Sequence, residues 1–147
     1  MKTSVTPNLD DCHAALLVDG RTTGLVLPIT LARECGFVLV PNRSGHLLRD
    51  HEGLLWKARV ITDHIDFGSS NTKGTGRGPS VDKWIEGTRG LAGFIIADQH
   101  SPNNPELPIY PVSLAVVEQW RDGRPYVSLS RREILARLRE ARLCPIP

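Results

Sequence analysis

Long apolar runs are missing from this chain. No segment approaches the roughly 18 consecutive apolar residues of a membrane-spanning helix, and no apolar stretch follows Lys2 as a leader would require. The expectation is a cytoplasmic protein with no membrane partner. Cysteine is scarce as well. Cys12, Cys35 and Cys144 form no C-x-x-C pair. They exclude a disulfide framework and suit a reducing compartment, each as a small buried hydrophobe. Charge excess is slight, with 18 Lys and Arg against 16 Asp and Glu, too little for net charge alone to imply a polyanionic partner. No internal repeat of about twenty residues or more is present, which excludes solenoids and propellers.

Several signature motifs are also lacking. GTGRG at 74–78 has neither the Gly-Lys-Ser/Thr ending of a phosphate loop nor the strand–loop–helix spacing of a dinucleotide fingerprint. No Gly-x-Ser-x-Gly elbow exists, so acyl transfer has no support. His51, His64, Asp66 and His100 are metal-ligand types, but no pair stands at H-x-x-x-H spacing, and the expectation is polar surface residues rather than a zinc site.

What is present suffices for one domain: 147 residues, 40% of them hydrophobic. Residues 1–40 read as packing elements. Asn8 caps a helix over 9–17, residues 25–27 suggest a brief strand, 30–35 a helical turn or two stopped by Gly36, and 37–40 a buried strand. Residues 41–120 carry the informative pattern. Extended runs at 45–50 and 54–62 flank the turn residues His51, Glu52 and Gly53 and predict a hairpin. Alternation puts Leu54, Trp56, Ala58 and Val60 on one face and Leu55, Lys57, Arg59 and Ile61 on the other. A basic, glycine-rich loop follows to Pro79, then a helix opened by Pro79 and Ser80, and then a buried strand at 91–97 that ends at Asp98. Pro102, Pro105, Pro108 and Pro111 predict an irregular connection before a strand and helix over 112–120. At 128–144 Ser130 and Glu133 form a capping box, with Ile134, Leu135, Leu138 and Ala141 on one stripe and Arg132, Arg137, Arg139 and Arg142 opposite. The expected class is α/β, a central mixed β-sheet flanked by helices.

Pro41, Arg43 and Gly45, then Asp50 and Gly53, the strand at 54–62, the basic loop, helix and apolar strand, then Ile109, Tyr110, Glu118 and Trp120 make a series with a known counterpart. In order and residue type it resembles small dimeric type II restriction endonucleases of the PD-(D/E)xK superfamily, over a little more than half of the chain. The resemblance implies a restriction-endonuclease-like fold, binding of double-stranded DNA by a homodimer, and hydrolysis with Mg2+ held by carboxylates. Position by position, the family's aspartate falls on Leu47, its glutamate on Lys57 and its lysine on Arg59. The metal-binding motif is therefore degenerate, because an aliphatic chain offers no oxygen and an ammonium repels the cation.

Three functional expectations follow. The leading one is a DNA-binding protein with impaired cleavage, contacting phosphates through Arg43, Lys57, Arg59, Asn71, Lys73, Arg77 and Lys83. The same Lys57 and Arg59 on a solvated sheet edge would instead prevent edge-to-edge pairing. The second is an active Mg2+-dependent nuclease with Asp50, Glu52 and Asp66 beside Lys57 as its catalytic set and Asp50 and Asp66 as metal ligands. Against it, these carboxylates are ordinary turn formers. The third is an inhibitor or adaptor using the proline-rich connection and the arginine helix as contact surfaces.

Overall fold

In the computed structural model the described residues are 4–7, 22–41, 47–68, 80–98 and 107–141. The expected helix at 9–17 and the loop over 69–79 lie outside them. In chain order the elements are β1 (Ser4–Val5), α1 (Thr22–Cys35), β2 (Val38–Leu39), β3 (Leu47–Arg49), β4 (Leu55–Ile61), β5 (His64–Phe67), α2 (Val81–Thr88), β6 (Leu91–Asp98), β7 (Leu107–Ser113), α3 (Leu114–Arg121), β8 (Val127–Ser130) and α4 (Arg131–Glu140).

The near-continuous apolar run of β6 suits a strand covered on both faces, and it lies at the centre of a six-stranded sheet ordered β1-β7-β6-β4-β3-β2. β6 runs parallel to β4, from Leu55 beside Leu91 to Ile61 beside Asp98, and antiparallel to β7. Parallel neighbours need a crossover, and the segment between them carries α2. β3 and β4 form the expected hairpin, with Leu47 opposite Lys57 and Arg49 opposite Leu55. A mixed sheet with helices is thus present, as composition and periodicity implied.

The side-chain period of two sorts the core onto the two faces. Ile95 and Ala97 of β6, with Ala58 of β4, join Leu27, Leu31, Phe37, Leu48 and Ile109 beneath α1. Phe94 and Ile96, with Ile61, join Phe67, Trp84, Val117, Trp120, Ile134 and Leu138 on the other face, under α2, α3, α4 and the β5–β8 ribbon. Each large side chain buried this way contributes about 1.5–3 kcal/mol. The approach of β7 to β6 is so close at Gly93 that a Cβ there would meet the Val112 carbonyl at 2.0 Å.

Four local expectations change. Residues 25–27 and 30–35 are not a strand and a separate turn but one helix, Thr22–Cys35, with Pro28 inside it. Val26, Leu27, Thr30 and Leu31 recur at helical spacing and are all buried, and this packing outweighs the hydrogen bond that Pro28 cannot donate. Thr30 bonds back to the Val26 carbonyl at 2.9 Å. Residues 37–40 are not a buried strand. β2 is a two-residue edge whose Val38 and Leu39 are 61% and 45% exposed, with only Phe37 buried. The proline-rich connection yields a strand from Leu107 onwards. Among the described residues β1 covers only Leu107 and Pro108, and strands tolerate proline at an edge. Finally, β5 and β8 pair as a separate ribbon that the hydrophobic pattern did not suggest.

Candidate functional site

β4 is an interior strand, with β6 on one side and β3 on the other. Its odd-numbered face therefore points into the α2 layer, and Lys57 and Arg59 go with it, beside Phe94 and Ile96 of β6. Both are only partly exposed. Burial and then the neighbouring Arg59 hold the Lys57 ammonium below its ordinary pKa. Burial also opposes the Arg59 charge, while Asp66 favours it. The Arg59 Nε is buried and has no hydrogen-bond partner among the described residues.

α2 supplies the facing wall. Ser80 caps it, its hydroxyl accepting from the Lys83 N–H at 3.1 Å and retaining a proton to donate. Ser80, Lys83, Trp84, Gly87 and Thr88 fall on one face at i, i+3, i+4, i+7 and i+8, and together with Lys57, Arg59, Phe94, Gly68 and Pro125 they line a cleft of about 210 Å³. No carboxylate is among these lining residues. Gly68 (φ +98°) lies against Pro125, where a Cβ would sit 2.4 Å from the proline carbonyl oxygen, so only glycine fits. At Gly87 nothing lies within 4 Å of a built Cβ, and the groove stays open there.

A charged triangle holds α2 against α3. Trp84 Nε1–H donates to Glu118 Oε1 at 2.5 Å, Arg121 donates to Glu118 Oε2 at 2.8 Å, and the Arg121 guanidinium lies 4.0 Å over the Trp84 ring. Arg121 is 1% exposed and also donates to the Arg124 carbonyl. The indole is further stacked on Phe94, centroids 6.0 Å apart and planes 14° apart, while Phe67 meets Phe94 edge-on at 5.3 Å. Trp84 and Phe94 both line the cleft and both already contact other side chains there.

The sequence-derived candidates separate clearly. Lys57, Arg59 and Lys83 share the cleft. Asp50 does not approach it. Its Oδ1 accepts from the N–H groups of Glu52 and Leu54 at 2.9 Å, and its Oδ2 accepts from Trp56 Nε1 at 2.9 Å, on the face that packs toward α1. Desolvation raises the Asp50 pKa, but these bonds and His51 together hold it below the ordinary value. Glu52 is exposed in the same turn. Asp66, on β5, accepts from the Tyr126 hydroxyl at 2.9 Å, with His64 Nε2 at 3.5 Å and Arg59 within electrostatic reach. Asp50 and Asp66, expected as joint metal ligands, are thus tied to opposite faces of β4. Among the described residues no group of three or more His, Cys, Asp or Glu could hold a metal ion. Arg43, Asn71, Lys73, Arg77 and His100 lie outside the described residues.

Ser80, Thr88, Gly68 and Pro125 were missed. The α2 members were findable, since Ser80, Lys83 and Thr88 share a helix face. Pro125 had no signal, because the β5–β8 pairing that brings it to Gly68 joins residues about sixty apart. No helix among the described residues is long and apolar enough to cross a membrane. No protein-family model, no curated protein and no solved structure matches the chain.

Proposed function

We propose that the protein binds DNA through the phosphate backbone, using Lys57, Arg59 and Lys83, on a restriction-endonuclease-like arrangement that no longer cuts. The observation that carries this reading is the placement of Lys57 and Arg59 side by side on an interior strand, half-buried, in a cleft that no carboxylate lines among the described residues. Such a pair is costly to hold without an anion, and a phosphate supplies one. The edge-protection alternative does not apply, since β4 has strands on both sides. The order of helix, three antiparallel strands, helix and parallel strand in α1, β2–β4, α2 and β6, with β5 interposed between β4 and α2, supports the resemblance to the nuclease superfamily.

Impaired cleavage follows from the charges. Leu47 and Lys57, which stand at the carboxylate positions of the family, are direct cross-strand partners, so the place where a metal would sit is flanked by an aliphatic and a cationic side chain. The test is a salt titration of duplex binding. Wild-type affinity should fall steeply with salt, and a Lys57→Gln, Arg59→Gln double variant should bind more weakly with a slope about two units shallower. Equal affinity and slope in the two proteins would refute the assignment. Plasmid cleavage with Mg2+ or Mn2+ by pure protein would refute the loss of catalysis.

A further inference from the structure

The cleft is selective about which part of a nucleic acid it can take. At about 210 Å³ it is smaller than the roughly 300–1,000 Å³ of pockets that enclose a drug-sized ligand. It is of a size to hold a phosphate with part of its sugar rather than to enclose a whole nucleotide. Base stacking requires an open aromatic face, and the two rings in the lining are already engaged with other side chains. Trp84 is covered by Arg121 on one side and stacked on Phe94, and Phe94 is met in turn by Phe67. The lining thus favours the phosphate over the base.

Charge narrows the choice further. A phosphodiester in the backbone carries one negative charge, whereas a terminal phosphomonoester carries about 1.5 to 2 at neutral pH. Lys57 and Arg59 stand two residues apart on one face of β4 and place two cations against the same small volume. The carboxylate nearest in effect, Asp66, is already engaged by Tyr126 and His64. The Arg59 Nε still has no described partner. Ser80 adds a hydroxyl donor on the opposite wall. With Lys83 on the facing wall, three cations and a donor around a pocket of this size match a dianion better than a monoanion. The pocket is also bounded by three separate parts of the chain, namely β4, α2 and the Gly68–Pro125 contact.

We propose that the cleft receives the terminal phosphomonoester of a DNA strand, so that the protein recognises phosphorylated DNA ends without regard to sequence. The inference rests on the DNA-binding reading above and specifies its ligand. Recognition is then a matter of the end's charge and shape. Lys57 and Arg59 neutralise the dianion, Ser80 donates to one of its oxygens, and Gly87 leaves the space that the adjoining sugar occupies.

The experiment compares one duplex oligonucleotide carrying 5′-phosphate, 3′-phosphate or only hydroxyl ends, each titrated with the full-length protein by fluorescence anisotropy at fixed salt. One phosphorylated end should bind about tenfold more tightly than the hydroxyl-ended duplex at about pH 7.5, and the preference should fade toward pH 5 as the phosphate's second proton returns. The two phosphorylated arms identify the end. Inorganic phosphate should compete for the phosphorylated duplex and much less for the other. Lys57→Gln should abolish the preference. Gly87→Leu, which fills the cleft from a position with free space, should abolish it too and guards against a folding defect in the first variant. Equal affinity for all three duplexes, with salt-dependent binding intact, would overturn the end-recognition inference and leave the backbone reading standing. Failure to bind any of the three at low salt would overturn both.

Discussion

Removing a charge from the cleft should make the protein more stable and less able to bind. Lys57→Met tests this, because methionine keeps an unbranched apolar stem of similar reach and deletes the ammonium. Residues two apart on a strand lie about 7 Å apart. Two like charges at that distance repel by about 0.6 kcal/mol in water and about 2 kcal/mol at an effective dielectric constant near 20. Lys57 is half-buried, so a gain of about 1 kcal/mol is expected, which for a domain of this size raises Tm by about 3 °C. The gain should shrink in high salt, since partly exposed charges are screened. It should also depend on pH. The folded-state pKa of Lys57 lies below its ordinary 10.5. Below that depressed value the burial cost is fully present. As pH rises through it toward 10.5, the native state sheds its proton before the unfolded chain does, so the wild type recovers stability and the variant's advantage narrows. Urea unfolding at low and high salt, together with thermal melts from neutral to alkaline pH, measures each of these. Saturating DNA should reverse the order, stabilising the wild type by about 2.7 kcal/mol at one hundred times Kd and the variant far less. A variant that is less stable than the wild type at low salt, or that binds DNA equally well, would refute the reasoning.

Three other changes probe the surroundings. Gly87→Leu should leave the melting temperature unchanged or raised, because the helix gains about 1 kcal/mol of propensity and nothing lies within 4 Å of the new Cβ, while DNA affinity falls at least about tenfold as the cleft fills; circular dichroism and anisotropy read the two effects. Glu118→Ala removes the acceptor shared by Trp84 and the buried Arg121 and should cost about 2 kcal/mol in urea unfolding, the lower end for a broken buried pair because Glu118 is 44% exposed on its side chain. Asp50→Ala should cost about 1 kcal/mol at neutral pH by releasing the hairpin turn. The Asp50 pKa is held below 3.8, so the wild type keeps this stability above 3.8 and loses it as pH falls through the depressed folded value, where acid melts of the two proteins should converge.

Local rules carried the sequence reading furthest where one element decides the outcome. Alternation along residues 54–61 placed Lys57 and Arg59 on a shared face, and the structure gives both that face and the hairpin that supports it. The Ser130–Glu133 capping box is formed as expected. Where partners lie far apart in sequence, the pattern was silent. The pairing of Ile65 with Leu129 and the Trp84–Glu118–Arg121 triangle depend on contacts across thirty or more residues, which no periodicity encodes. Pro28 lies inside the helix that the pattern divided into two elements. Its local preference against a helix interior is real, and burial of Leu27 and Leu31 overrides it.

The fate of the carboxylates decides which charge the cleft can accept. Asp50 spends both oxygens on its own turn and on Trp56, so turning it toward the cleft would sacrifice three hydrogen bonds and carry its side chain to the other face of the sheet. Asp66 is nearer, yet its oxygens serve Tyr126 and His64, and its charge acts on Arg59. A divalent cation here would have to displace these contacts and face Lys57 and Arg59 directly, a repulsion that neither carboxylate is placed to offset. An anion meets the opposite situation. It arrives where two cations already repel each other, so its binding relieves a strain that the empty protein carries. Lys57 and Arg59 thus make the cleft unfavourable to a cation and favourable to an anion for one and the same electrostatic reason.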